Sequence, residues 1–276
     1  MPGTLTLVGT PIGNLSDFSP RAVEALEACD FIAAEDTRVS LTLLNHFGIR
    51  KPLISYFEHN KRERGEVICR KLEDGENAVL VTDAGMPAIS DPGEDLVALC
   101  HERGIPVTVI PGPSAGIAAL AASGLPTARF TFEGFLSANR RDRRAQLDSL
   151  KAERRTMVFY EAPHKLLGTL EDLLQAFGDR RICLAREITK LHEEIVRTTI
   201  SSAIDRYRET SPRGEFVLVI EGAAPAEETP VSPEQAASIA RLYLEEGLSV
   251  SEASKKAAAE TGVKKGDIYR LLTKEN

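Results

Sequence analysis

Residues 78–96 read AVLVTDAGMPAISDPGEDL and contain an apolar run, a loop of small and turn-forming residues, and the first residues of a helix. The run Ala78–Val81 is short, fully apolar and bounded by polar residues, which is typical of a strand buried in a parallel sheet. Asp91 stands directly before Pro92, and Glu94 follows three positions after Asp91, which predicts that a helix begins here. This stretch therefore predicts a βα unit with a long loop at the carboxyl end of its strand.

The same alternation of short apolar runs and helix-like segments extends from residue 4 to about residue 110. The other runs are Leu5–Val8, Phe31–Ala34, Leu53–Tyr56 and Val107–Ile110. Strands that alternate with helices predict βα units and a parallel five-stranded sheet. We assign this first α/β domain to residues 1–122.

A second alternation follows a stretch of small residues, Pro and Gly at 122–127. Its predicted strands are Phe130–Phe135, Thr156–Tyr160, Arg181–Ala185, Glu194–Thr199 and Phe216–Ile220. The third and fourth of these have no helix between them, which indicates an antiparallel pair and hence a mixed sheet. We assign the second α/β domain to residues 127–222.

A linker with three prolines, residues 222–233, separates these domains from a small helical module at 232–276. The module contains three helical patterns, Glu234–Glu245, Ser251–Glu260 and Lys264–Thr273. Gly262 falls where a helix-turn-helix needs its turn residue. The module is therefore either a nucleic-acid contact or a three-helix cap that packs on the sheets.

Composition limits the class of protein. The chain has 276 residues, 42% of them hydrophobic and 27% charged, and a formal net charge of −7. These values are ordinary for a globular chain and exclude a disordered protein or a small disulfide scaffold. The four widely spaced cysteines form no CxxC pair, so we expect buried thiols and no metal site. No signal peptide or apolar span is visible, which predicts a cytoplasmic protein without a membrane partner.

Three loops rich in glycine and proline follow predicted strands of the first domain. They are residues 9–15, 82–93 and 110–115. Loops at consecutive strand ends meet at one edge of a parallel sheet, where such sheets bind their ligands. Neither GxGxxG nor GxxxxGK[ST] occurs in them, so the dinucleotide and P-loop motifs are absent. The loops predict a backbone-rich cleft for a nucleoside-like ligand, in which Asp83 either accepts hydrogen bonds from the ligand or caps its own loop.

Seven motifs in collinear order resemble the tetrapyrrole-methylase superfamily, and more closely its ribosomal RNA small-subunit methyltransferase I branch. They are GTPIGNL, AEDTR, TDAGMPAISDPG, PGPSA, EAPHK, REITK and GEFVLVIEG. The resemblance covers about residues 3–222, and the C-terminal segment is also similar to the helical module of that branch.

The resemblance implies that S-adenosylmethionine binds between the two α/β domains and that a methyl group goes to a ribose 2′-hydroxyl of a cytidine in small-subunit rRNA. It also implies a homodimer that acts on the 30S subunit. Motif matching places the cofactor against Thr10, Pro11, Asp83, Met86, Ser114, Ala115, Tyr160, Glu161 and Ala185.

Polar clusters at strand ends supply candidate catalytic groups for such a transfer. These candidates are Asp36, Arg38, His59, Glu187 and Lys190. In one interpretation Arg38 and Lys190, together with Arg186, contact phosphate or ribose, and a carboxylate or His59 is the base. In the other, the charged groups only form salt bridges between the domains.

Basic side chains are concentrated in two segments of this acidic chain. Residues 138–155 carry seven basic and three acidic side chains, and residues 254–276 carry six basic and three acidic side chains. The rest of the chain therefore has a formal net charge of −14. Phosphate binding uses such local basic surface. The predicted RNA contacts are Arg140, Arg141, Arg143, Arg144, Lys264, Lys265 and Arg270.

Two other functions fit part of the sequence. A small-molecule methyltransferase acting on a tetrapyrrole would have the same fold. A ligand-sensing regulator would bind duplex DNA through the C-terminal helices and would transfer no methyl group.

Overall fold

The computed structural model of the chain describes residues 1–225 and 231–274 and divides into two compact units, Met1–Ala223 and Ala224–Asn276. Both predicted sheets lie in the first unit. Residues 226–230 of the predicted linker and the last two residues of the predicted module lie outside the described residues.

A parallel sheet forms the first half of the first unit. Its elements are β1 (Leu5–Val8), α1 (Pro20–Ala28), β2 (Phe31–Ala34), α2 (Thr37–His46), β3 (Leu53–Ser55), α3 (Lys61–Glu73), β4 (Ala78–Val81), α4 (Gly93–Glu102), β5 (Val107–Ile110) and α5 (Ala115–Ala122). The strand order is β3-β2-β4-β1-β5, and every pairing is parallel. All residues of β2 and β4 are buried, because helices cover both faces of the sheet.

A mixed sheet forms the second half of the first unit. Its elements are β6 (Phe130–Phe135), α6 (Arg140–Leu150), β7 (Thr156–Glu161), α7 (Leu166–Phe177), β8 (Arg181–Arg186), β9 (Glu194–Thr199), α8 (Ile200–Glu209) and β10 (Phe216–Ile220). The strand order is β6-β7-β10-β8-β9. The predicted antiparallel pair β8–β9 is confirmed, while β6 and β7 run parallel.

Strand β10 lies between β7 and β8 and runs antiparallel to both. Its first residues therefore lie beside the last residues of its neighbours. Val217 pairs with Tyr160 on one side and with Ala185 on the other. The register thus places three side chains from distant parts of the sequence in one row across the sheet.

Apolar side chains from helices and strands form the cores of this unit. Leu166, Leu170 and Leu173 lie on one face of α7, are fully buried, and pack against the second sheet in a cluster with Phe159 and Leu218. This spacing of three and four residues is that of an amphipathic helix. The four cysteines are buried and free, as predicted.

The second unit consists, within residues 231–274, of α9 (Pro233–Glu245), α10 (Val250–Thr261) and α11 (Lys265–Lys274). Capping boxes at Ser232 and Ser249 begin the first two helices. Gly262 ends α10 with a φ of 72°, which confirms it as the turn residue between α10 and α11. Alanines dominate the small core, which lets the helices pack closely.

The predicted α/β architecture is confirmed, and predicted and observed strand bounds differ by no more than one residue. Strand β3 ends at Ser55 rather than Tyr56, while β7 and β8 each continue one residue further. None of the helices described in residues 1–225 and 231–274 has the length and apolarity needed to cross a bilayer.

Candidate functional site

A cavity of about 500 Å³ lies where strand ends of both sheets meet in the first unit. Loops after β1, β4 and β5 line one side. The carboxyl ends of β6, β7 and β8 and the first residues of β10 line the other. The walls are mostly apolar, with Glu161, Glu187, Lys190 and Glu215 as charged groups. Few polar groups in an apolar, concave site are typical of a small-ligand site.

Loops after β1 and β4 are joined by a short antiparallel bridge. The backbone N–H of Thr10 donates to the Gly85 carbonyl at 2.9 Å, and the Gly85 N–H donates back at 3.2 Å. The buried Thr10 hydroxyl donates to the carbonyl of Thr82 at 3.2 Å. Thr10 thus holds the two loops together and is not among the cavity-lining residues.

Backbones of the β1 and β5 loops approach each other closely. A Cβ atom on Gly112 would lie 2.7 Å from the Gly9 carbonyl oxygen. The Gly112 N–H also donates to the Met86 sulfur at 3.2 Å, and Met86 lines the cavity. Glycine is required at both positions because any side chain would separate the loops.

Tyr160, at the carboxyl end of β7, connects the second sheet to helix α5. Its hydroxyl accepts a hydrogen bond from the Gly116 N–H at 3.1 Å. Burial raises the pKa of Tyr160, so its hydroxyl stays protonated at neutral pH. The Phe135 ring lies 5.6 Å from the Tyr160 ring, centroid to centroid, and lines the cavity beside it.

Glu187 and Lys190 form an ion pair in the cavity wall. Lys190 Nζ lies 2.9 Å from Glu187 Oε1 and 2.9 Å from Glu215 Oε2. Burial by itself would raise the pKa of Glu187, but hydrogen bonds from Lys190 and from the Glu215 backbone lower it overall. Burial likewise opposes the charge of Lys190, while its two carboxylate partners raise its pKa overall. Both groups are therefore ionised at neutral pH.

The Glu187 backbone has a φ of 51°, an uncommon value for a residue with a side chain. A Cβ atom on Gly214 would lie 2.6 Å from the Glu187 Cδ atom. The side chain thus occupies space that only a glycine at position 214 leaves open. Strained backbone of this kind is concentrated at functional sites.

Asp36 and Arg38 form a second ion pair, which is not in the cavity wall. Asp36 Oδ2 accepts from Arg38 Nη2 at 2.6 Å, and this hydrogen bond is the main reason that the pKa of Asp36 is lowered to about 2. The Asp36 N–H donates to Asp83 Oδ1 at 3.0 Å. Asp83 therefore caps the neighbouring β2 loop instead of its own, and burial raises its pKa.

The structure brings together eight of the fourteen predicted catalytic and cofactor residues in the cavity wall. These are Met86, Ser114, Ala115, Tyr160, Glu161, Ala185, Glu187 and Lys190. Thr10, Pro11, Asp36, Arg38, His59 and Asp83 are not lining residues. His59 is exposed and lies beside the Phe57 ring.

Sequence reasoning missed several lining residues, among them Ile12, Phe135, Ile188 and Val217. The predicted catalytic candidates are polar groups that follow strands, whereas these side chains are apolar. Val217 is at the beginning of a strand and reaches the cavity only because β10 is antiparallel. The motif GEFVLVIEG, which contains it, was the available signal.

The predicted RNA-contacting residues differ in their surroundings. Arg140, Arg141 and Arg144 are exposed on α6. Arg143, on the same helix, is paired with Asp172 at 2.6 Å, and its side chain is only 16% exposed. In the second unit Lys264, Lys265 and Arg270 are exposed. Lys265 Nζ lies 3.0 Å from the Ser251 hydroxyl.

Residues 4–204 match the family model for Tetrapyrrole (Corrin/Porphyrin) Methylases. The chain is 50% identical over 270 residues, covering 98% of it and 97% of the relative, to a Synechocystis protein named ribosomal RNA small subunit methyltransferase I. A relative of the same name from Thermotoga maritima is 48% identical over 220 residues, which are 80% of this chain and 99% of the relative.

Solved structures share the fold at low sequence identity. A diphthine synthase crystal structure superposes with a TM-score of 0.61 at 16% identity, covering 80% of this chain and 90% of that one.

Proposed function

This chain belongs to the tetrapyrrole (corrin/porphyrin) methylase family, and from that premise we propose that it methylates small-subunit ribosomal RNA. More specifically, we propose transfer from S-adenosylmethionine to the ribose 2′-oxygen of a cytidine. The observation that carries the proposal is the cavity with its Glu187–Lys190 pair, in a chain half identical to a named rRNA methyltransferase over almost its full length.

The cavity residues suit S-adenosylmethionine. A volume of about 500 Å³ lies within the range of roughly 300–1,000 Å³ that is typical of small-ligand sites. Apolar side chains such as Met86 and Val217 suit the nucleoside, and the Tyr160 and Phe135 rings suit a sulfonium cation, since cations are attracted to aromatic rings. The predicted Thr10, Pro11 and Asp83 act in this proposal by shaping the loops.

When bound, this donor supplies a methyl group whose bond to sulfur breaks, with its electron pair going to sulfur, as the bond to the ribose oxygen forms. The chain's main contribution is alignment, because orientation alone can contribute about 7–11 kcal/mol to such a step. Gly9, Gly112 and the Thr10–Gly85 bridge provide this rigidity through backbone contacts.

Glu187 is the group that we assign to receive the hydroxyl proton, at Oε2, because Oε1 already accepts hydrogen bonds from Lys190 and from the Glu215 N–H. Its lowered pKa makes it a weak base, so it takes the proton late, when the forming C–O bond has made the hydroxyl acidic. Lys190 stays protonated and holds a phosphate or ribose oxygen of the substrate. Asp36 and Arg38 orient the edge of the cleft through Asp83. His59 is exposed and lies outside the cavity wall, so we assign the proton transfer to Glu187 and not to His59.

Exposed basic residues of both units contact the rRNA in this proposal. Arg140, Arg141 and Arg144 on α6 follow β6, whose last residue Phe135 lines the cavity. Phosphates of a substrate that reaches the cavity then meet these guanidinium groups. Lys264, Lys265 and Arg270 supply a second basic surface on the C-terminal unit.

We also propose that two copies form a dimer and that the protein works in the cytoplasm on the 30S subunit. The dimer follows from the family resemblance, and exposed apolar side chains on the edge strand β6 and on α5 fit it. Phe130, Phe132 and Ile117 are 38%, 39% and 53% exposed. Light scattering on the purified chain gives its mass in solution, and a monomer at micromolar concentration would contradict the dimer.

Incubation with labelled S-adenosylmethionine and 30S subunits that lack the modification tests the reaction. Digestion of the rRNA to nucleosides should yield labelled 2′-O-methylcytidine, and the Glu187→Gln variant serves as the control. A base-methylated nucleoside would overturn the ribose assignment. Label in an added tetrapyrrole but none in rRNA would favour the small-molecule reaction, and sequence-specific binding of duplex DNA without methyl transfer would favour the regulator.

A further inference from the structure

Arg143 differs from the other arginines of helix α6 because its guanidinium group points inward. Its Nε donates to Asp172 Oδ2 at 2.6 Å, and its Nη2 donates to the Thr169 hydroxyl at 2.9 Å. Both acceptors lie on α7. The neighbouring Arg144, in contrast, is exposed.

The Thr169 hydroxyl continues this chain of hydrogen bonds. Its oxygen accepts from Arg143, and its single proton is donated to Glu161 Oε2. A hydroxyl group has only one proton, so both bonds together determine its orientation. Thr169 is 1% exposed, and solvent does not compete for these bonds.

Glu161 is the end of this chain and part of the cavity wall. It is only 4% exposed, and its other oxygen accepts from the Ala162 N–H at 2.8 Å. The next residues, Ala162, Pro163 and His164, also line the cavity. A buried carboxylate requires such partners, so losing one of them disturbs the loop that it holds.

We propose that Arg143 is a positioning residue for the cofactor cavity, acting through Thr169 on Glu161 and the 162–164 loop, and not a phosphate contact like its neighbours. The identity of the ligand, S-adenosylmethionine, rests on the proposed function. The guanidinium fork bonds Asp172 and Thr169 at once, which the single ammonium group of lysine does not reproduce.

Charge-conserving variants of two arginines that pair with helix α7 test the proposal. In Arg143→Lys the dissociation constant for S-adenosylmethionine, measured by calorimetry, should rise about tenfold, as expected for a lost hydrogen bond to a charged group. The matched control is Arg208→Lys, which should leave this constant unchanged, because Arg208 also pairs with helix α7, through Glu171 at 2.8 Å, but is not part of the chain to Glu161. Both variants keep their charge, so both should bind rRNA as the wild type does at equal salt.

A second variant tests the connection through the hydroxyl. Thr169→Val should also weaken the binding of S-adenosylmethionine. The double variant, Arg143→Lys with Thr169→Val, should bind S-adenosylmethionine about as weakly as whichever single variant binds it less tightly, because both changes interrupt the same chain of hydrogen bonds. If the losses of binding free energy in the two single variants add up in the double variant, the two residues do not act through one chain of hydrogen bonds.

Amide hydrogen exchange gives a readout that needs no ligand. Exchange in residues 162–166 should be faster in Arg143→Lys than in the wild type, with no change in the first sheet. If wild type binds no S-adenosylmethionine, the proposed function fails, while this local exchange still decides the role of Arg143. The positioning role of Arg143 would be overturned by unchanged exchange in residues 162–166 or by faster exchange throughout the first unit. Weaker rRNA binding with normal cofactor binding would also overturn this role.

Discussion

Gly13, in the loop after β1, packs against the aliphatic part of the Lys190 side chain from the loop after β8, so closely that a methyl group on Gly13 would overlap Lys190 Cγ. These residues lie in loops that follow strands of different sheets, and Lys190 lines the cavity, where it pairs with Glu187. The position of the candidate catalytic pair thus depends on a residue without a side chain in the other half of the unit.

We expect Gly13→Ala to reduce methyl transfer by roughly 100-fold, because misplacing a catalytic group by about 1 Å can cost that much. The rate of label incorporation into 30S subunits measures the effect. Gly168→Ala is the matched control, since a Cβ on Gly168 of helix α7 meets no atom within 4 Å. Equal rates in the two variants would show that Lys190 tolerates the displacement.

Replacing Glu187 by Gln should lower the rate about 10²–10⁴-fold, the usual contribution of a general base. Asp36→Asn should cost less, because a carboxyl group with a pKa of about 2, paired with Arg38, accepts protons poorly and lies outside the cavity wall. Single-turnover rates at saturating donor separate this effect from binding. A full rate in Glu187→Gln would remove Glu187 from the mechanism.

The ion pair of Glu187 and Lys190 also predicts a pH window for stability. The folded pKa of Glu187 is lowered, so its contribution is present above the unfolded pKa and is lost as pH falls through the folded value. The folded pKa of Lys190 is raised, so its contribution is lost as pH rises through that value. The free energy of unfolding in urea should therefore be higher for the wild type than for Lys190→Met. This difference should be constant around neutral pH and should decline at both acidic and basic pH. A difference in unfolding free energy that does not vary with pH would contradict a stabilising ion pair between Glu187 and Lys190.

Substituting Gly112 by Ala should lower the free energy of unfolding by about 1–3 kcal/mol, the usual cost of overpacking, because the new Cβ would meet the Gly9 backbone at 2.7 Å. Gly168→Ala, in an open helical position, should raise it by roughly 0.5–1 kcal/mol instead. Urea denaturation of both variants measures the two changes. If Gly112→Ala leaves the free energy of unfolding unchanged, the β1 and β5 loops can move apart without a cost in stability.

Neutralising Arg140, Arg141 and Arg144 together should weaken rRNA binding and flatten its dependence on salt. Each lost phosphate contact lowers the slope of log K against log salt by roughly 0.7–0.9. Cofactor affinity should not change, since none of the three lines the cavity. An unchanged slope would remove this helix surface from the RNA footprint.

Truncation after residue 223 should leave a folded unit that binds S-adenosylmethionine. The Thermotoga maritima relative, matched over 220 residues and 99% of its length, is about as long as the first unit. Loss of Lys264, Lys265 and Arg270 should weaken binding to 30S subunits. Calorimetry and filter binding measure the two affinities, and equal 30S binding would show that the C-terminal unit does not contact RNA.

Local features of the sequence were sufficient to predict the elements. Buried strands such as Ala78–Val81 and Phe31–Ala34 are uninterrupted apolar runs, and Ser19 caps the first turn of α1, so each of these elements is encoded within a few residues. The carboxyl ends of parallel strands also share one edge, which is why the loops 82–93 and 110–115 could be predicted at one site, while the choice of Met86 and Ser114 within them came from the family resemblance.

The sequence by itself thus determined the two α/β halves, the three-helix module and the loops that form the cavity, because periodicity, capping and turn residues act over short distances. Tertiary structure alone decided which polar groups reach that cavity. Asp36 follows its strand just as Glu187 does, yet Asp36 pairs with Arg38 outside the wall while Glu187 lines it beside Lys190. Arg143 likewise turns inward to Asp172 although its neighbours are exposed. Such choices depend on contacts between residues far apart in the chain, which spacing along the sequence does not encode.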